Sequence, residues 1–541
     1  MSTIRMNLIS AAINRAFILI DYNYTNYDFH KGYEFMQQTI LADNSLTEEE
    51  KTEAIRLSNR NYDRDKILYN SGTRRICENC NQKCLATLYC EYCVQNYLKD
   101  NFSNWTSGNN DIDNLIKNCQ METFVPSTII EWIPYNNLQN IEYLTRGGFS
   151  EIYTASWING NYYEWDSKER KLIRFGTIKV ILKQLENVES ASQSWFEEAK
   201  SHLTISNKYP EIVQCFGLTQ NPSNRNYMLV IDKLDVNLRE YLQQNHNQLT
   251  WEEIIEITFL IINALHWIHK ENSIHRDLHS GNILYSVFNN AWCISDLGFC
   301  GPANKSSTCI YGNLPYIAPE VINGKEYTFE SDVYSIAMLM WEISSGQPPF
   351  MNYEHDCNLA IDIINGMRPK IISEIPSEYK SLMEQCWDAD SLKRPDIDTL
   401  RSKMNEIMSY YHNKPNELPQ LKTKLNNVTN NNISSKLFTS KIHKFESLPE
   451  PKNATEEEQE AFHSKLYDFS VPYNIDGFGK ANRNTSKISS IIKDNKDNYN
   501  KKIALTQNVN NDEDEDEAYN NPNLHSEEQD EFEIPDGSSI L

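Results

Sequence analysis

The chain has 541 residues, with 51 Lys and Arg against 75 Asp and Glu for a net charge of −24. At about 150 residues per domain this is material for roughly three to four domains. Twelve Asp and Glu and no Lys or Arg fall in 503–541, so roughly half of the acidic excess sits in one tail. The mildly acidic remainder has no basic stripe, which argues against duplex nucleic acid as a ligand, because such binding neutralises phosphates with Lys and Arg.

Residues 1–75 read as a helical accessory segment. Ser45 or Thr47 precedes Glu48, Glu49 and Glu50 in a helix-capping pattern. The apolar run 6–20 is broken by Asn7, Asn14 and Arg15. It falls short of the ~18 consecutive apolar residues of a membrane span, and no cleavage pattern of small residues follows it. We expect a soluble, cytoplasmic protein with reduced thiols and no membrane partner.

Residues 76–122 form a cysteine-rich module. The run CENCNQKCLATLYCEYC sets Cys77 with Cys80 and Cys90 with Cys93, two knuckles able to place four thiolates around a structural zinc ion. The spacer between the knuckles is shorter than in common zinc ribbons, and Cys84 is an extra thiol.

From 135 to 412 β-branched runs come first (GTIKVILKQL, YMLVIDKL) and long amphipathic runs later (WEEIIEITFLIINALHWIHK, SDVYSIAMLMWEISS), predicting strands and then helices. Residues 413–541 are polar and low in complexity (NNVTNNNISS, DEDEDE), and are expected to be a largely disordered, acidic tail. Within it, Thr455 is placed to cap a short helix over ATEEEQEAFHSKLYDF that would dock on a partner.

The central region carries the parts that phosphoryl transfer requires: a phosphate cradle, a lysine, metal-holding oxygens and a group to orient the attacking hydroxyl. LTRGGFSEIY puts Gly147 and Gly148 in a turn before Ile152. VILK ends an apolar strand on Lys183, and Glu198 lies on a following helical pattern as its counter-charge. IHRDLHSGNIL carries Asp277 and Asn282, and ISDLGF sets Asp296 after an apolar strand.

This ordered set resembles the eukaryotic protein kinase superfamily. The wording HRDLHSGN and the CW…RP ending are most similar to tyrosine-kinase-like serine/threonine kinases, especially the expanded fungal families. The resemblance implies an α+β bilobal protein-kinase fold, with a β-rich N-lobe and a helical C-lobe, beside the small four-cysteine zinc-knuckle module and the disordered acidic tail. It implies ATP and Mg2+ as cofactors and protein substrates in signal transduction. Thr145, Gly147, Gly148, Ile152, Ile181, Lys183, Ile231, Asp232 and Leu234 would line the nucleotide site. Lys183 and Glu198 would form the orienting ion pair, Asp277 would be the catalytic base, and Asn282 and Asp296 would be the Mg2+ ligands.

The same resemblance implies that Arg276 meets a phosphorylated activation segment, with Ser306, Ser307, Thr308 and Tyr311 as candidate sites. Self-association for phosphorylation by a second copy would then be natural. It also pairs Glu320 with Arg394 and makes Asp332 a brace for the catalytic loop.

Some positions depart from the pattern. Thr145 and Ser150 stand where the outer glycines of the loop would be, and Ile181 replaces a small residue facing the adenine. His279 stands for a lysine and Asn313 for a threonine, which leaves serine/threonine against tyrosine specificity open. The alternative reading is a catalytically weak or inactive pseudokinase scaffold.

Overall fold

A computed structural model describes residues 4–23, 28–146, 150–185, 194–287, 289–299, 310–372, 374–419, 440–445 and 448–464. Three helices open the chain, α1 (Met6–Asn23), α2 (Phe29–Ala42) and α3 (Glu48–Leu68). Thr47 caps α3 in a reciprocal box with Glu50, and Ile9, Ala12, Ala16, Met36, Ile40 and Ala54 fill a small core among the three.

A two-stranded knuckle, β1 (Arg75–Ile76) with β2 (Lys83–Cys84), then leads to α4 (Glu91–Asp100) and α5 (Asn110–Glu122). The knuckle is tied back to α3. Asp63 accepts the backbone N–H groups of Thr87 and Leu88 at 2.8 Å each, while the buried Lys66 ammonium reaches the Leu85 carbonyl at 2.8 Å and Asp63 at 2.7 Å.

The main sheet has the strand order β3-β9-β10-β8-β5-β4, built from β3 (Glu131–Trp132), β4 (Leu138–Arg146), β5 (Glu151–Trp157), β8 (Ile178–Gln184), β9 (Cys215–Gln220) and β10 (Tyr227–Asp232). Between β5 and β8 a separate hairpin, β6 (Tyr162–Asp166) with β7 (Lys171–Arg174), reaches out to the cysteine module, where Trp165 and Leu172 pack among Cys77, Cys90 and Cys93. This hairpin and the parallel edge strand β3 were not anticipated from the sequence.

Side chains alternate across a strand with period two, and that alternation fixes the two faces of the sheet. Ala155, Trp157, Val180, Leu182, Met228 and Val230 form one core. Leu229, Leu218 and Tyr227 form the other, against Ala199 and Leu203 of α6 (Ser194–Ile205) and Ile112 and Ile116 of α5. Because Val180 and Leu182 face away from α6, Lys183 must face it.

A short β11 (Val236–Asn237) leads into α7 (Leu238–Asn245) and the helical part. There α8 (Trp251–Lys270), α10 (Phe329–Ser345), α11 (Cys357–Ile364), α12 (Ser377–Cys386) and α13 (Ile397–Asn413) enclose one large core. Thr250 and Glu253 cap α8 reciprocally. Its Ile254, Ile262, Leu265 and Ile268 are wholly buried, each contributing about 1.5–3 kcal/mol by removal from water. The hairpin β12 (Ile283–Ser286) with β13 (Ala291–Ile294), the short β14 (Ile310–Gly312) and α9 (Pro319–Ile322) lie at the edge of this part that carries the site. No helix among the described residues is long and apolar enough to cross a membrane.

The segment 413–541, expected to be largely disordered, departs from that expectation at 440–445 and 448–464. Here β15 (Lys441–His443) and α14 (Glu456–Ser464) lie on the helical part. Thr455 does cap α14, its hydroxyl accepting the Glu458 N–H at 3.2 Å. The helix docks on its own chain, however: the Gln459 side chain bridges the Gly366 carbonyl at 2.6 Å and the Arg368 N–H at 3.2 Å. The physical reason is that Phe445, Leu448 and Phe462 pack against the large core, giving a mostly polar segment enough apolar burial to stay in place. Residues 465–541 lie outside the described residues.

Candidate active site

Strand pairing assembles one wall of the candidate site. Ile152 is paired with Lys183 and with Thr145, and Ile181 with Thr154 and Ile231, so Ile152, Ile181, Lys183 and Ile231 share one sheet face. Asp232 and Leu234 follow at the end of β10 as half-buried residues, and burial pushes the Asp232 carboxyl up to about 6. Thr145 is exposed near the end of β4, while Gly147 and Gly148 lie outside the described residues.

Lys183 is the hub of an ion trio, its ammonium 2.8 Å from Glu198 Oε1 and 2.5 Å from Asp296 Oδ1. Burial alone would lower the lysine pKa, but the two carboxylates outweigh it and hold the value above the ordinary one. Burial likewise opposes ionisation of Asp296, and the Lys183 charge overrides it, holding that carboxylate well below its usual range. A Cβ at Gly298 would crowd the ends of the Glu198, Asp296 and Lys183 side chains, which would have to shift to admit it. His202, one turn beyond Glu198 on α6, is buried behind the trio, and burial followed by the Lys183 charge lowers its pKa to about 3. The sequence reading did not single it out.

The loop after α8 holds the second half of the site. Arg276 and Asp296 both take left-handed backbone conformations, φ 69° and 58°. These are unusual for residues with a Cβ and are retained where surrounding contacts hold them. For Arg276 the contact is Asp332, which accepts the backbone N–H groups of His275 at 2.8 Å and Arg276 at 3.0 Å. Asp277 is buried, and burial pushes its carboxyl up to about 7 against the hydrogen bond it accepts from Ser440.

Asn282 donates from Nδ2 to the Asp277 carbonyl at 2.9 Å, so its amide oxygen is the side-chain atom able to act as a ligand. That oxygen and the Asp296 carboxylate are hard donors that suit Mg2+. His279 is buried and its pKa falls to about 3, chiefly through burial and then through Arg239 and His275, so a neutral imidazole stands at the position of the family's lysine.

Glu320 and Arg394 form a buried pair with two hydrogen bonds of 2.7 Å. Tyr311 lies on β14, hydrogen-bonded through both backbone groups to the Tyr327 hydroxyl. Ser306, Ser307 and Thr308 lie outside the described residues.

At the cysteine module, the sulfurs of Cys77, Cys80, Cys90 and Cys93 all lie within 4.8 Å of one another, with Cys77–Cys93 at 3.7 Å and Cys80–Cys90 at 3.5 Å. A tetrahedron with Zn–S bonds of about 2.3 Å has sulfurs about 3.8 Å apart, so the donor set fits zinc. Cys84 is buried outside this foursome, next to Cys90 and Glu91.

The family profile of protein tyrosine and serine/threonine kinases matches residues 138–404. Similar curated proteins include the dual specificity protein kinase zakA of Dictyostelium discoideum, 28% identical over 42% of this chain and 32% of its own length. The dual serine/threonine and tyrosine protein kinase of Homo sapiens is 32% identical over 34% of this chain and 20% of its own. A serine/threonine-protein kinase/receptor, R831, of Acanthamoeba polyphaga mimivirus is 30% identical over 33% and 11%. The chain thus spans a third or less of these relatives. Through residues 138–404 it belongs to the eukaryotic protein kinase superfamily.

Proposed function

We propose that the protein is an ATP- and Mg2+-dependent protein kinase that transfers the γ-phosphate of ATP to serine and threonine hydroxyls of protein substrates in intracellular signalling. The observation that carries this reading is the Lys183 ammonium bridging Glu198 and Asp296 beside the loop that presents Asp277 and Asn282. In this reading Lys183, held by Glu198, orients the nucleotide phosphates. Asp296 and the Asn282 oxygen would hold Mg2+, which would neutralise developing phosphate charge. Asp277 orients the acceptor hydroxyl and takes its proton, for which a pKa near 7 is suited.

The neutral His279 supplies a hydrogen bond in place of a cation. The name of the relative from Homo sapiens supports counting tyrosine among the acceptors. A zinc ion held by Cys77, Cys80, Cys90 and Cys93 would be structural, since four thiolates leave no open position. Residues 1–122 would be an accessory unit fixed to the catalytic domain.

The test is transfer of labelled phosphate from Mg-ATP to the protein and to a generic basic protein, comparing wild type with Asp277→Asn and Lys183→Met. Loss of label in both variants supports the reading, and phosphoamino-acid analysis assigns the acceptor type. A folded, zinc-loaded wild type that transfers nothing would instead mark a scaffold.

A further inference from the structure

Resting on the kinase reading above, we propose that Ser440 is the protein's own phosphoacceptor, held in the groove by the segment 440–464 and phosphorylated intramolecularly. The Ser440 hydroxyl lies 2.7 Å from Asp277 Oδ1 and 3.2 Å from His279 Nε2. The direction of these bonds follows from the imidazole. His279 Nδ1 accepts the Gly281 N–H at 3.0 Å, so the neutral ring carries its proton on Nε2 and donates it to Ser440 Oγ. The serine proton is therefore directed at Asp277, the orientation and distance from which a general base removes it.

The backbone holds this register. Strand β15 adds antiparallel to β14, pairing Ile310 with His443, Tyr311 with Ile442 and Gly312 with Lys441. This is the strand-addition mode by which extended peptides are recognised, and it places Ser440, the next residue, at the catalytic loop. The buried His443 ring bonds the Gly312 carbonyl at 3.0 Å, and Lys441 reaches the His355 carbonyl at 3.2 Å.

Farther on, Asn453 spans Asp388 and the Ala389 N–H at 2.9 Å each, and Gln459 holds Gly366 and Arg368. Gly366, at φ +97°, lets the chain at Lys452–Ala454 lie directly on it, where a Cβ would collide. A segment anchored at both ends, with a serine hydroxyl rather than an inert side chain at the carboxylate, is an acceptor in place as well as an occupant of the groove.

In the transfer, Asp277 takes the hydroxyl proton and Ser440 Oγ forms a bond to the γ-phosphorus of Mg-ATP. The bond from that phosphorus to the β–γ bridging oxygen breaks, and its electron pair leaves with ADP. The product carries about −1.5 to −2 charge at neutral pH against Asp277, and repulsion drives the strand out, opening the groove to other substrates.

The experiment incubates the full-length protein with Mg-ATP over a hundredfold range of protein concentration and maps phosphate by mass spectrometry, with a generic basic protein as second acceptor. The variants are Ser440→Ala, Asp277→Asn and the anchor variant Asn453→Ala with Gln459→Ala. Phospho-Ser440 forming at a rate per molecule independent of concentration, and absent from the first two variants, is the expected result. The anchor variant should slow Ser440 labelling several-fold while phosphorylation of the generic protein rises several-fold.

Phosphate on the generic protein with Ser440 unlabelled would overturn the inference and leave the kinase reading intact. A rate that grows with protein concentration would overturn the intramolecular route. No phosphate on any acceptor in either wild type or the anchor variant would overturn both readings.

Discussion

Asp332 Oδ1 accepts the backbone N–H of Arg276 at 3.0 Å, across 56 residues of sequence, while its other oxygen takes the N–H of His275 and meets His269 Nε2 at 2.9 Å. One buried carboxylate thus fixes the backbone of the loop that presents Asp277. Burial opposes its charge, yet His269 and these donors hold its pKa below the ordinary value.

Replacing Asp332 with Ala orphans the buried His275 N–H and the part-buried Arg276 N–H, an unsatisfied buried group costing about 1–3 kcal/mol. We expect stability to fall by roughly 2–4 kcal/mol, read from the denaturant midpoint, and phosphotransfer to fall further than stability alone explains. Phosphotransfer that survives at full rate in the folded fraction would remove the bracing role.

The Glu320–Arg394 pair is buried and bidentate. Arg394→Ala should cost about 3–5 kcal/mol by leaving an unpaired buried carboxylate, measurable by urea unfolding. Glu320→Met with Arg394→Leu should recover much of that loss, because the stranded charge is then gone.

Lys183→Met removes the cation between Glu198 and Asp296. Transfer should drop at least ~10²-fold, the scale seen when a group stabilising transition-state charge is deleted. The stabilisation of the fold by Mg-ATP, seen as a rise in melting temperature by mass action, should shrink with it.

Asp277 has a pKa raised to about 7, chiefly by burial. A general base acts deprotonated, so transfer should rise about tenfold per pH unit below this value and level above it, as a pH–rate profile would read. Stability runs the other way. Folding favours the protonated carboxyl, so that contribution is complete below the ordinary carboxyl pKa and is lost as pH rises through about 7. His279, lowered to about 3, adds no step above pH 5.

The four-cysteine site should hold one zinc per chain by elemental analysis. Chelation, or Cys93→Ser, should release it and lower the melting temperature. The same treatment should loosen α3, which is joined to the knuckle through Asp63 and Lys66.

Much of the site was legible in the sequence because its parts obey short-range rules. Lys183 ends a run whose Val180 and Leu182 fill one core, so strand alternation alone assigns it to the opposite face. The CxxC pairs place thiols on tight turns, and the Thr47 and Thr455 caps follow from hydroxyl and carboxylate spacing. The β6–β7 hairpin was not legible. Its run YYEWDSKERKLIR is rich in charged residues, and only the packing of Trp165 and Leu172 on the cysteine module places it. His202 was missed because one buried histidine at helical spacing resembles any core residue.

What the sequence by itself determined is therefore the ordered set of motifs that resembles the protein kinase superfamily, and, through strand periodicity, the sheet face on which Lys183 stands. Tertiary structure alone decided that Lys183 bridges two carboxylates, that Asp332 holds the backbone beside Asp277, and that Ser440 meets Asp277 across 163 residues. The last pairing has no local signal. It arises from the backbone edge of β14, an apolar surface that accepts Phe445, Leu448 and Phe462, and a buried carboxylate that accepts the Ser440 hydroxyl, and these coexist only once the chain has folded.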